Sequence, residues 1–348
     1  MRHLLLLAII SHIFSCSSPS ETKKGKAIKN DYAKGFVINQ LSNGEKKLLI
    51  YHPQTGKKID DIIIDKNKPT IVIPLSATHL SFIDALGELS TVKGVTFGES
   101  IFNPIIKEKL KSNEIVNLGQ DAAPNKELLL TAKPDIIFTF PGSQSYKDQL
   151  NITEIPVTEF LEVHPLAQLE WVKVFGLVYN KYDQAVHYYD SIKTIYNTLK
   201  IQKSETPKNI MCGELLDQHW ALPGGKSLIN QYIEDAGADY YSFGDSNTGS
   251  TKIDFEVIID EQKAINKWLM TTYHLEKLTR EKVLAKNPKY TYLDILKVSD
   301  STSIAVCNTA QKPYFEKGIV EPHLILKDII SFVKDSNSSN EYFRYLYP

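Results

Sequence analysis

The side chains able to do chemistry are scattered through the 348 residues, and their spacing excludes several reactions. Nine histidines occur singly, with no His-Glu-x-x-His pair to hold zinc on one helix face, so a lone one such as His187 reads as a solvated or core residue. No Gly-x-Ser-x-Gly turn is present to raise a serine nucleophile above a sheet. Gly224-Gly225-Lys226-Ser227 ends as a phosphate-binding loop does, but Trp220 stands where that loop needs its first glycine. A tight turn capping a helix that begins near Ser227 is the simpler reading. The cysteines lack zinc or iron-sulfur spacing. Cys212 and Cys307 each follow an apolar run and read as small buried hydrophobes, with a disulfide between them left open. No calcium loop appears, and neither a metal centre nor a cofactor is expected. Enzyme readings therefore rest on nothing positive.

Cys16 is the exception. Met1-Arg2-His3 precedes an apolar run, Leu4 to Ile10, far shorter than the roughly 20 residues needed to cross a bilayer, so residues 1–15 read as a signal peptide. Ile13-Phe14-Ser15-Cys16 resembles a bacterial lipobox, which implies that Cys16 becomes a lipidated N-terminus. A plain secretory signal with an incidental cysteine is the alternative. Residues 16–31 are expected to be a flexible tether, polar from Ser17 to Lys26. A net charge of -1 and a pI near 6.8 argue against any field that would hold nucleic acid.

Residues 32–67 alternate short apolar runs with turn signals at Asn43-Gly44 and Thr55-Gly56, predicting a β-rich extension of hairpins. From Lys68 the rhythm becomes buried strands followed by helices. Thr70–Pro74, Val92–Val95 and Pro134–Phe140 read as strands, and His79–Leu86 and Asn125–Ala132 as helices. After His164-Pro165, Val172, Phe175 and Tyr179 form one helical stripe. A second runs Tyr182, Val186, Tyr189, Ile192, Tyr196 and Leu199, within a helix from an N-cap at Asp183 to about Gln202. The second half repeats the pattern, with strands at Asn209–Gly213, Lys267–Thr272 and Ser303–Asn308 and helices at Ser227–Ala236, Ile253–Asp260 and His323–Lys334. The expected fold class is α/β. Two Rossmann-like lobes with parallel sheets (68–165 and 206–348) are bridged through 166–205 by a single long helix.

Four segments, in this order, carry a family resemblance: Ile71-Val72-Ile73-Pro74-Leu75-Ser76-Ala77-Thr78-His79; Asn117-Leu118-Gly119 with Lys133-Pro134-Asp135-Ile136-Ile137; Gly224-Gly225-Lys226-Ser227 with Ala236-Gly237-Ala238; and Tyr314-Phe315-Glu316-Lys317-Gly318 with Pro322. Together they resemble the periplasmic substrate-binding proteins of ABC importers for iron-siderophore, haem and cobalamin. The β-rich front and Glu159-Phe160-Leu161-Glu162-Val163-His164-Pro165-Leu166 look like the Bacteroidetes lipoprotein branch.

The resemblance implies a ligand held between the lobes by loops at the carboxyl ends of strands. Those loops carry Ser76, Thr78, His79, Phe97, Phe140 and Tyr146 on one lobe, and Trp220, Thr248, Tyr314 and Phe315 on the other. Aromatic walls suit a large flat ligand, a corrin, a porphyrin or a catecholate complex. The resemblance further implies that Glu127 and Glu256, one per lobe, dock a permease that works with its ATPase in the inner membrane. A periplasmic monomer, anchored by lipid to an envelope membrane or displayed at the cell surface, is the expectation. Other readings are a receptor for a bare metal such as zinc or manganese, an enzyme on the same scaffold, and a surface lipoprotein without a transport role.

Overall fold

Apolar and polar residues alternate to build the first sheet. β1 (Lys26–Ile28), β2 (Phe36–Gln40), β3 (Lys46–Tyr51) and β4 (Lys58–Ile64) pair antiparallel in chain order. Phe36, Ile38, Leu48 and Ile50 are buried and their alternates are not. Gly44, at φ +81°, makes the β2–β3 turn that its side-chain-free backbone permits. The computed structural model describes residues 26–119, 123–297, 302–336 and 341–346, so the expected signal peptide and Cys16 lie outside the described residues. β1 falls inside the stretch expected to be tether. Lys-Ala-Ile is too short to show a strand pattern, and its pairing with β2 makes it an edge strand.

Buried carboxylates fasten this sheet to the rest. Glu170 accepts the backbone N–H groups of Asp31, Tyr32 and Ala33, each at 2.8 Å, and pairs with Lys173 at 2.6 Å. Glu162 accepts those of Lys34 and Gly35 at 2.9 and 2.8 Å. Gly35 sits so close that a Cβ there would lie 2.5 Å from the Thr158 hydroxyl and 2.7 Å from the Trp171 ring.

The first lobe runs β5 (Val72–Pro74), α1 (Ala77–Ala85), β6 (Gly94–Val95), α2 (Pro104–Lys111), β7 (Val116–Asn117), α3 (Lys126–Ala132), β8 (Ile136–Thr139), α4 (Lys147–Leu150) and β9 (Thr153–Pro156). β5, β8 and β9 pair in parallel, as do β6 and β7, and a parallel Val72–Val92 bridge joins the two groups in the order β7-β6-β5-β8-β9. The Lys-Pro-Asp segment has a local purpose: the Asp135 carboxylate accepts the Thr70 and Ile71 N–H groups at 2.7 and 2.9 Å, setting β5 beside β8.

Three helices cross to the second lobe. α5 (Pro165–Glu170) and α6 (Val172–Val178) are buried almost throughout, whereas α7 (Tyr182–Leu199) buries only the stripe that includes Tyr189 and Tyr196. Its 18 residues span ~27 Å at 1.5 Å each. It starts one residue before the expected cap: Asp183 lies in the first turn, where its carboxylate meets the positive end of the helix dipole. α6 and α7 approach closely at Gly176, where a Cβ would lie 2.4 Å from that of Ala185.

The second lobe comprises β10 (Asn209–Cys212), β11 (Glu214–Leu216), β12 (His219–Pro223), α8 (Leu228–Asp235), β13 (Asp239–Tyr240), β14 (Ser250–Asp254), α9 (Phe255–Glu261), β15 (Lys267–Thr272), α10 (Arg280–Lys286), α11 (Asp294–Lys297), β16 (Ile304–Asn308), α12 (Tyr314–Lys317), α13 (Pro322–Val333) and β17 (Arg344–Tyr345). Its main sheet has the order β13-β10-β15-β16-β17, parallel except for β17. β11, β12 and β14 form a separate antiparallel sheet that strand-helix rhythm did not predict. α7 packs along α6 and α13, and one hydrophobic core runs from Ala33 through α5–α7 to Tyr345. Cys212 and Cys307 are buried free thiols, and burial pushes Cys307 up to about 12.

Candidate functional site

Segments that follow the carboxyl ends of strands in the two lobes meet at the lobe junction. β5 feeds α1, β16 feeds α12, and these two helices pack together across the junction of the lobes. The Ser81 hydroxyl donates to the Glu316 carbonyl. The Glu316 carboxylate accepts the N–H groups of Phe102 at 2.5 Å and Asn103 at 2.8 Å. Burial raises the Glu316 pKa above the usual carboxylate range, against the pull of those two donors.

On the first lobe, Ser76, Thr78 and His79 converge with an acid. Ser76 caps α1, its hydroxyl 2.8 Å from that of Thr78, and Thr78 donates to Glu159 Oε1 at 2.5 Å. His79 is fully buried against Phe138 and Phe175, with Nε2 3.8 Å from the same carboxylate. Desolvation drives His79 down to about 3 and Glu159 up to about 7, so near neutrality the imidazole is neutral and the carboxyl half-protonated. Both ring nitrogens of His79 and Oε2 of Glu159 are buried without a hydrogen-bond partner. His79 is thus a floor residue beneath the loop, while Ser76 and Thr78 are half-buried. Sequence analysis placed Glu159 in a family-like phrase but not among the site residues. Its signal is position, an acid three residues beyond the carboxyl end of β9.

Two further expected wall residues, Trp220 and Tyr146, are core residues as His79 is. Trp220 is fully buried between Trp268, Phe255 and Tyr290, and its Nε1 donates to the Cys212 carbonyl at 2.9 Å. It sits on β12 of the unpredicted sheet, so the loop assumed to expose it does not exist. Tyr146 is 3% exposed in the first lobe's own cluster, and its hydroxyl donates to the Pro124 carbonyl at 2.6 Å. Phe140 is half-buried against that cluster, and Phe97 is half-buried in a left-handed conformation, φ 54°. Tyr314 is half-buried among Tyr342 and Phe343, beside an exposed Phe315. Thr248 is half-buried in the loop that closes on the Gly-Gly turn.

That turn cannot cradle phosphate. The N–H groups of Gly224, Gly225 and Lys226 already donate to Gly249 O, Asp245 Oδ1 and Asn247 O, and a Cβ at Gly225 would fall 1.9 Å from the Asp245 carbonyl. Among the described residues, no three histidine, cysteine or acidic side chains cluster to hold a metal ion.

Residues 98–297, more than half of the chain, match the family described as periplasmic binding protein. The chain belongs to that family. It is a family of binding proteins associated with transport, not of enzymes. An uncharacterized lipoprotein of Methanocaldococcus jannaschii is 26% identical over 271 residues, 68% of this chain and 64% of the relative, so the chain spans under two thirds of that relative's length. The Fe3+-hydroxamate transport protein of Saccharomonospora viridis aligns at TM-score 0.58 with 14% identity, covering 80% of this chain and 97% of that one. The periplasmic haem-binding protein HutB of Vibrio cholerae aligns at TM-score 0.59 with 16% identity, covering 75% and 98%. At such identities these structures are similar to this one in fold alone.

In this periplasmic binding protein, Glu127 and Glu256 lie on different lobes. Each is exposed in the first turn of its helix, α3 and α9. Glu256 stands 3.9 Å from Lys289 on the rim of a groove of about 200 Å³ floored by Phe255 and Ile259. Two wider grooves, about 830 and 680 Å³, flank the contact between β4 and β9 outside the lobe junction.

Proposed function

We propose that the chain is the substrate-binding lipoprotein of an ABC importer, capturing an iron complex (siderophore or haem) or cobalamin between its lobes and delivering it to a permease and ATPase complex. The observation that carries the reading is the contact between α1 and α12, the helices that follow β5 and β16 of the two parallel sheets, since open parallel sheets bind ligands at the carboxyl ends of their strands. Similarity to a haem-binding and a hydroxamate-transport protein supports an iron complex. The lipobox-like sequence at Cys16 and a lipoprotein relative support a lipid anchor outside the cytoplasmic membrane. The protein acts as a monomer, docking through Glu127 and Glu256.

The test is uptake against affinity. Glu127→Lys combined with Glu256→Lys should abolish uptake of the cognate complex by cells while the purified protein keeps its affinity. Loss of affinity, or undiminished uptake, contradicts the docking role. In the same strain Cys16→Ala should free the protein from the membrane fraction, and unchanged sedimentation with membranes rejects the anchor.

A further inference from the structure

Beneath the Ser76–Thr78 loop, Glu159 is an acid buried without a cation. It is 1% exposed, and among the described residues no lysine or arginine stands within ion-pair distance of it. His79 of α1 faces it as a neutral ring. The acids of its own segment and of α5, Glu162 and Glu170, turn instead to the amides of residues 31–35, and Lys173 of α6 pairs with Glu170. From β8 and α6 it meets the aromatic layer of Phe138 and Phe175 around His79. Thr78 supplies its side-chain hydrogen bond, at 2.5 Å.

The hydroxyls and the acid form a chain whose direction one proton sets. Ser76 Oγ lies 2.8 Å from Thr78 Oγ1, and either can donate. A carboxylate at 159 takes the Thr78 proton, so Thr78 must accept from Ser76, and both hydroxyl protons are then spent inside the chain. A proton on the acid has one useful seat. Oε2 is buried without a partner, so the acid can donate only from Oε1, to Thr78. Thr78 then frees its own proton, and one hydroxyl of the half-buried pair is left to donate outward. Protonation also removes a buried negative charge below the start of α1, a nine-residue helix with no acid in its first turn. Both changes favour an acceptor oxygen at the loop.

We propose that Glu159 is a positioning residue, which holds a proton while the Ser76–Thr78 loop grips a carboxylate or carbonyl oxygen of the cargo and gives it up when the cargo leaves. The assignment rests on the importer reading and couples capture to one proton. The acid titrates at about 7, so the coupling falls near neutrality. Cargo raises that midpoint further, so affinity is fullest below 7 and is lost as pH rises above it.

The first test needs no cargo. The infrared carbonyl band of a protonated acid should grow in wild type as pH falls through about 7 and be missing from Glu159→Gln. Thr78→Val removes the donor that favours the carboxylate and should move the midpoint upward. The second test titrates wild type and Glu159→Gln with haemin, cyanocobalamin and the ferric tris-hydroxamate ferrichrome. The complex that wild type binds should bind about 10-fold more weakly at about pH 8 than at about pH 6. Calorimetry in buffers of different ionisation heat should find about one proton taken up with it at the higher pH. Glu159→Gln should lose both the pH dependence and the uptake. No band difference between the proteins, a midpoint that Thr78→Val leaves in place, or equal pH dependence of affinity overturns the assignment and spares the importer reading. Wild type that binds none of the three overturns both.

Discussion

Glu159 and His79 share one buried pocket and titrate in opposite directions, which makes their effect on stability readable. Unfolded, Glu159 would titrate near 4.5; folded, it titrates at about 7, so its contribution is complete below 4.5 and is lost as pH rises through 7. His79 falls from 6.5 to about 3, so its contribution is complete above 6.5 and is lost as pH falls towards 3. Between 4.5 and 6.5 the two slopes oppose each other and cancel. Glu159→Gln keeps an acceptor for Thr78 and removes the alkaline loss. Its unfolding free energy relative to wild type should therefore increase from about pH 5 to about pH 8, measured by urea denaturation. A difference independent of pH would mean that Glu159 does not take up a proton on folding. Neither residue's environment was legible in the sequence, because burial depends on Phe138 and Phe175, 59 and 96 positions beyond His79.

At the scale of elements, the N-terminal sheet is an integral part of the fold, anchored by acids that recognise backbone. Glu162 and Glu170 between them accept five N–H groups from residues 31–35, donors that offset part of the cost of burying the carboxylates, although burial still raises the Glu162 pKa. Gly35→Ala should cost on the order of 1–3 kcal/mol, since its Cβ meets Thr158 and Trp171. Glu170→Ala leaves Lys173 and three N–H groups without their partner and should cost roughly 3–5 kcal/mol. Calorimetric melting of both variants checks the order; a neutral Glu170→Ala would show that the sheet docks by its apolar face alone. Long elements with strong periodicity were readable in advance. α7 was expected from its tyrosine stripe, β15 has the expected bounds, β8 starts two residues later and ends one earlier than expected, and β16 starts one residue later and ends where expected. The antiparallel sheet of β11, β12 and β14 was not readable. Its strands are three to five residues long; β11 and β12 form a short hairpin without a glycine at its turn, and β12 pairs with β14 across about 30 positions, so no strong local pattern announces the sheet. Misplacing Trp220 followed from that omission: a residue taken for the tip of a loop is the centre of a packed sheet.

Across the whole molecule, one core continues from the N-terminal sheet through α5–α7 into α13 and the second lobe, so the lobes are not free hinges. Their junction is further clasped by Glu316 on the Phe102 and Asn103 amides and by Ser81 on the Glu316 carbonyl. A site built on two such lobes must be largely formed before its ligand arrives, and small adjustments of loops would complete it. The account stands on the position of that site, and a crystal structure of the protein with its ligand retained measures it directly. The ligand should lie at the lobe junction, against Thr78 on one side and the Tyr314–Phe315 end of α12 on the other. A ligand seated in the grooves beside β4 and β9, with the junction empty, would contradict it.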